Sequence, residues 1–216
     1  MGVGSGARRL VLGGGGGGAS MRGRDTVGYA GGLRTAARRM SVADLPEVPD
    51  GLAWPIVLGI DPGTRIVGYG AVVHHERGPR LLAAGVLRAG TSTDVPTRLG
   101  VLRRDLDLLI ARLKPRVVVV EHAYTAANMQ SALRVGEGRG VALSAAAVHG
   151  AEVVQYQASQ AKKSLVGDGG ASKERVAKMV AAELLLDEAP RPLDATDALA
   201  LALTYVHRSR FAERHA

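Results

Sequence analysis

Four carboxylates occur at abrupt changes of pattern in this chain: Asp61, Glu121, Asp194 and Asp197. Asp61 closes the apolar run "PIVLGI" and precedes a glycine turn, "PGT"; Glu121 closes "VVVV"; Asp194 and Asp197 open an apolar helical segment just after "EAPRP". If the two runs are neighbouring parallel strands, their carboxyl ends converge on one rim, where sites form in open sheets. Asp194 and Asp197 are three residues apart and share a helical face. A helix starting just after Pro192 also aims its amide dipole at them.

Gathering such acids has a chemical consequence. Two carboxylates about 4 Å apart repel by on the order of 4 kcal/mol at an effective dielectric of 20, so some must take up protons or a dication must bind among them. The chain has no cysteine, and an oxygen-only donor set suits Mg²⁺ or Mn²⁺. Two such ions serve phosphodiester hydrolysis, one activating water and the other stabilising the departing oxygen. Each acid also has a purely structural alternative: an acid beside glycine caps a turn, and Asp194 suits an ordinary helix N-cap.

The elements that must position these acids are legible from residue 54 onward. Residues 55 to 61, 67 to 75 and 81 to 88 read as strands separated by "DPGT" and "ERGPR", and connections this short favour antiparallel neighbours. "VPTRLGVLRRDLDLLIARLK" places Leu99, Leu102, Leu106, Leu109, Ile110 and Leu113 at helical steps. Residues 117 to 120 form a wholly apolar strand of the kind buried in mid-sheet. A helix from about 128 to 149, a strand at 152 to 156 and helices near 158 to 165, 172 to 187 and 194 to 208 follow. A three-strand meander and then alternating helix and strand predict a mixed α/β sheet covered by helices.

Composition bounds the rest. A chain of 216 residues with 46% hydrophobic content holds one domain plus a tail. The formal charge is +8, but residues 1 to 39 hold seven arginines against Asp25 alone, leaving only +2 for the other 177 residues. Bulk basicity therefore says little about the folded part. The first 50 residues, with the unbroken glycines 13 to 18, are expected to be disordered. They suit a transit peptide, a phosphate-binding arm or a start assigned too early, with Met21 or Met40 as the true beginning; we favour the last. No apolar stretch approaches the roughly 20 residues that span a bilayer, and the expectation is a cytoplasmic protein without membrane association.

Four blocks in order, "LGIDPGTRIVGYG", "VVVVEHAYTAANMQSALRVGEGRGV", "QASQAKKSLVGDGGASKERV" and "LDATDALALALTYVH", resemble the RuvC family of Holliday junction resolvases, a branch of the RNase H-like fold. The resemblance covers roughly residues 56 to 207. It implies an RNase H-like mixed five-stranded sheet flanked by helices, occupying residues 54 to 210 behind the extension at 1 to 50. It places the family's catalytic and metal-binding acids on Asp61, Glu121, Asp194 and Asp197. It implies a homodimer that nicks two strands of a four-way DNA junction symmetrically, with two Mg²⁺ per subunit, for which Mn²⁺ can substitute. Partnership with the RuvA and RuvB branch-migration proteins is implied as well.

The resemblance also assigns DNA contacts. Lys162 and Lys173 flank the glycine-rich loop "VGDGG" and match lysines that contact the scissile region; Lys163 reads as a solvated helix residue. Tyr124 stands where the family typically has phenylalanine, a position from which an aromatic stacks on an unpaired base; a buried core tyrosine is the alternative. Asn128 matches a family asparagine, but Ala127 replaces the lysine that many members carry before it. The loop lacks the Gly-Lys-Ser/Thr ending of a P-loop, "GEGRG" at 136 to 140 reads as close helix packing, and His122 is expected to point away from Glu121. Two other readings remain open: a sugar-kinase or actin-like ATPase, which needs two copies of the fold, and a junction-binding protein without chemistry.

Overall fold

Side-chain alternation along five strands determines what each face of the sheet receives. The computed structural model describes residues 45, 48, 51–122 and 129–215. The chain divides into two units, residues 1–34 and 35–216, and every described residue lies in the second. The strands are β1 (Ile56–Asp61), β2 (Ile66–His75), β3 (Gly78–Arg88), β4 (Val117–Glu121) and β5 (Glu152–Tyr156), and the helices are α1 (Val95–Leu113), α2 (Met129–Val148), α3 (Ala158–Val166), α4 (Lys173–Glu183) and α5 (Leu193–His215). The sheet order is β3-β2-β1-β4-β5. The short turns make β1–β2 and β2–β3 antiparallel, whereas β1–β4 and β4–β5 are parallel and need helical crossovers. The mixed α/β architecture read from the sequence is the one observed.

One face carries Ile56, Leu58, Ile60, Val118 and Val120, packed under the Leu102, Leu106, Leu109 stripe of α1 and the alanines of α2. The other carries Val57, Val117 and Val119, packed under Leu199 and Leu203 of α5 with α3 and α4 beside it. Odd-numbered residues of β1 and β4 therefore face α5. Among the described residues no helix is long and apolar enough to cross a membrane.

Boundaries differ from expectation where local pattern is silent. β3 begins at Gly78, paired with His75, rather than at 81, because Gly-Pro shows no alternation. α4 ends at Glu183 instead of 187: Leu185 adopts a left-handed φ of 57° and the Leu186 amide returns to the Ala181 carbonyl at 2.9 Å. α5 runs to His215 rather than 208. The packed unit also starts before residue 54, since Leu45 is 2% exposed within the first core and its carbonyl accepts from the Arg112 guanidinium at 3.1 and 3.2 Å. Val48 packs against the same core, and the rest of the 1–50 extension lies outside the described residues.

Candidate active site

The parity of two strands brings the first two acids together. Ile60 pairs with Val120 in the parallel β1–β4 ladder, so Asp61 and Glu121 are the next rung, and both belong to the face that meets α5. Their carboxyls share a hydrogen bond. Asp61 is half-buried, and its carboxyl is pushed up to about 8, first by burial, then by the hydrogen bond and charge of Glu121, and then by the charges of Asp197 and Asp194. Asp61 is therefore not a simple turn cap. It is an acid held in the field of three others.

The second pair reaches this rim because α5 lies unusually close to the sheet. A Cβ on Gly59 would fall 1.9 Å from the Ala198 carbonyl oxygen, one on Gly68 2.1 Å from the Asp194 carbonyl oxygen, and one on Gly70 2.5 Å from Leu199 Cγ. Gly68 is also the β2 partner of Asp61. Three missing side chains thus let the first turns of α5 rest on β1 and β2 beside Asp61. The buried Thr196 hydroxyl donates to the Pro190 carbonyl at 2.6 Å and fixes where the helix starts. Asp194 lies inside the first turn of α5, so the N-cap alternative does not hold. Sequence reading missed these glycines as site-builders, although glycine inside a strand signals close backbone approach.

Lys173 opens α4 behind the N-cap Ser172, and its ammonium donates to Asp197 Oδ2 at 2.7 Å. That hydrogen bond is the main cause of a raised Lys173 pKa, so the lysine remains a cation beside the acids. Lys162 lies half-exposed on α3 and Lys163 is exposed. The glycine-rich loop is a helix-ending turn: Gly167, with φ of 77°, caps α3, and Asp168 Oδ1 accepts the Gly170 amide at 2.8 Å. In "GEGRG", Gly138 packs against the chain's own turn after Asp61, since a Cβ there would lie 2.6 Å from the Gly63 carbonyl oxygen. The His122 amide continues the pairing to the Tyr156 carbonyl at 2.8 Å, and alternation turns its ring from the Glu121 side. Tyr124, Ala127 and Asn128 lie outside the described residues.

The donor chemistry fits a hard dication. The set is all carboxylate oxygen, and Asp61 is held above the ordinary carboxylate range first by burial and then by the hydrogen bond and charge of Glu121 and the charges of Asp197 and Asp194, a strain that a dication would relieve. Among the described residues no three acids or histidines are grouped tightly enough to hold an ion as they stand. Asp61 is engaged with Glu121 and Asp197 with Lys173. Ion binding here would release a proton and redirect a lysine, in addition to filling a space.

Known proteins resemble this chain over most of its described length. Residues 57–205 match the family model described as crossover junction endodeoxyribonuclease RuvC. The chain is 43% identical over 152 residues to the crossover junction endodeoxyribonuclease RuvC of Pseudomonas putida, covering 70% of this chain and 86% of that protein. It is 44% identical over 154 residues to the protein of that name from Heliobacterium modesticaldum, covering 70% and 94%. Thermus thermophilus RuvC superposes with a TM-score of 0.66 at 36% identity, covering 73% of this chain and 96% of that one. The same protein in complex with Holliday junction substrate gives 0.65 at 34% identity, with the same coverage. The matched span contains Asp61, Glu121, Asp194 and Asp197 together with all five strands, except the first residue of β1. On that extent of agreement, the chain belongs to the RuvC family of crossover junction endodeoxyribonucleases.

Proposed function

We propose that this chain resolves Holliday junctions in recombination and repair, hydrolysing one phosphodiester per subunit in the presence of Mg²⁺. The observation that carries the reading is the convergence of Asp61 and Glu121 from β1 and β4 with Asp194 and Asp197 from α5, where burial and the neighbouring acids push the Asp61 carboxyl well above its ordinary range. These four would hold two Mg²⁺ ions, with Mn²⁺ as a substitute; bound there, the ions supply an activated water and stabilisation of the leaving oxygen. Lys173 brings a positive charge to the edge of the acid group, where it can neutralise a backbone phosphate. Lys162, Tyr124 and Asn128 are assigned to DNA contact on the strength of the family pattern.

A two-fold symmetric junction calls for two identical sites related by a two-fold axis, hence a homodimer. The outer stripe of α2 supports this: Met129 is 82% and Leu133 63% exposed, and among the described residues nothing beyond the adjacent residues and the helix's own backbone lies within 4 Å of a Cβ built on Gly136 or Gly140. These positions follow one another at helical steps on one face. RuvA and RuvB remain partners assigned by family, and the cytoplasm the assigned location.

The deciding experiment incubates the protein with a labelled immobile four-way junction and with linear duplex, with and without Mg²⁺. Paired symmetric nicks with 5′-phosphate ends, confined to the junction and lost in chelator, are expected. Junction binding without cutting supports the non-catalytic reading, and tight ATP binding without either supports the kinase-like one.

The glycine groove makes a separate prediction. Gly68→Ala would force the Asp194 backbone off the sheet and misplace two acids together. Junction cleavage should fall on the order of 10²-fold, as expected for a displacement of about 1 Å, with the circular dichroism spectrum retained. Cleavage at the unsubstituted rate would show that close approach of α5 is not needed.

A further inference from the structure

The turn at residues 62–65, which leads the chain from Asp61 into β2, is gripped by three elements. Arg98, in the first turn of α1, is 4% exposed. Its Nε–H donates to the Thr64 carbonyl at 3.1 Å, and its Nη1–H groups donate to the Ser92 carbonyl at 3.1 Å and the Thr93 carbonyl at 2.6 Å. From α2, Gly138 abuts the Gly63 carbonyl so closely that any side chain would collide with it. From the end of β3, the Ala89 amide donates to the Arg65 carbonyl at 3.0 Å.

A buried guanidinium is costly to desolvate; among the described residues this one makes no ion pair within 4 Å, and the charge it feels nearby is the exposed Asp94 carboxylate at the N-cap of the same helix. The guanidinium is also too enclosed to meet a substrate phosphate. What it does is tie three carbonyls of two loops into one fork, a geometry that the planar five-donor arginine supplies and lysine cannot. One of those carbonyls belongs to the turn that begins next to Asp61.

We propose that Arg98 is a positioning residue for cleavage: by pinning the 62–65 turn against α1, with Gly138 as the opposing wall, it holds Asp61 in register with Glu121. The inference rests on the nuclease reading above and deepens it. A hydrophobic side chain of similar length would fill the same volume, but would leave the Thr64, Ser92 and Thr93 carbonyls to find water instead of the guanidinium. The three-carbonyl fork would be lost with it.

The test compares Arg98→Met, Arg98→Lys and, as a control on the same helix, Arg103→Ala, which removes a half-buried pair with Asp107 and a hydrogen bond to Ser144 of α2 without touching the 62–65 turn. For Arg98→Met the cleavage rate at saturating junction and Mg²⁺ should drop about 10²-fold, while junction affinity stays within about twofold. Amide hydrogen exchange at residues 63–66 should accelerate at least about tenfold, with β4 and the core of α5 unchanged. Arg98→Lys should restore part of both, and Arg103→Ala should alter neither. Uniformly faster exchange across the sheet would make Arg98 a merely structural residue and overturn the proposal, as would native cleavage or unchanged exchange in Arg98→Met. If Arg98→Met fails to fold, the same two readouts on Arg98→Lys decide. If the unsubstituted protein does not cut junctions, the nuclease reading fails separately, and local exchange still reports on the clamp.

Discussion

Glu121→Gln should bind a four-way junction within about twofold of the unsubstituted protein and cut it about 10³-fold more slowly, or not detectably, in Mg²⁺. Glutamine keeps the shape of the side chain that ends β4 and can still hydrogen-bond to Asp61, so the rim should stay assembled. What disappears is one of the negative oxygens that would hold a divalent ion, and an amide is a poor substitute for it. Binding is measured by mobility shift in Ca²⁺ or chelator and cutting by single-turnover kinetics. Cleavage at the native rate would remove Glu121 from the mechanism and with it the two-metal reading of this rim.

The metal-free protein should become less stable as pH rises from about 4 to about 8, and Asp61→Asn should remove most of that slope. In the unfolded chain Asp61 releases its proton near 3.8, whereas in the folded protein burial and neighbouring acids hold that proton up to about 8. Between those values the folded state binds more protons, so deprotonating conditions favour unfolding. The stabilisation present below pH 4 is thus lost by pH 8, by on the order of a few kcal/mol. Urea denaturation in chelator at pH 5 and pH 8 measures it. Asparagine should make the protein more stable at pH 8 while abolishing cleavage, an exchange of stability for function common at charged sites. Mg²⁺ should restore stability at pH 8 to the unsubstituted protein but not to Asp61→Asn. Parallel pH profiles for the two proteins would exclude Asp61 as the group under strain.

Much of this was readable from residue order, for reasons that differ by element. The α1 leucines and the four valines of β4 announce themselves because a 3.6-residue stripe and a short apolar run are local patterns. The ends of α4 and α5 do not, since a leucine-rich segment continues past the place where Leu185 turns left-handed. Leu45 was missed because one apolar residue among prolines has no period, yet it fills the first core. Arg98 looked like any arginine on a helix. Only the position of the neighbouring loops shows that its guanidinium is enclosed and bound to three carbonyls.

The sequence alone determined the alternating and helical faces, the placement of each acid at the end or start of an element, and the family to which those blocks point. These are properties of neighbours along the chain. How near the acids come to one another depends on pairings between residues far apart: β1 against β4, and α5 lowered onto Gly59, Gly68 and Gly70. Packing also decided that Asp61 meets Glu121 through a hydrogen bond while Asp197 is engaged by Lys173. Protonation depends on distance and burial through space, and neither is written in the spacing of residues along a strand.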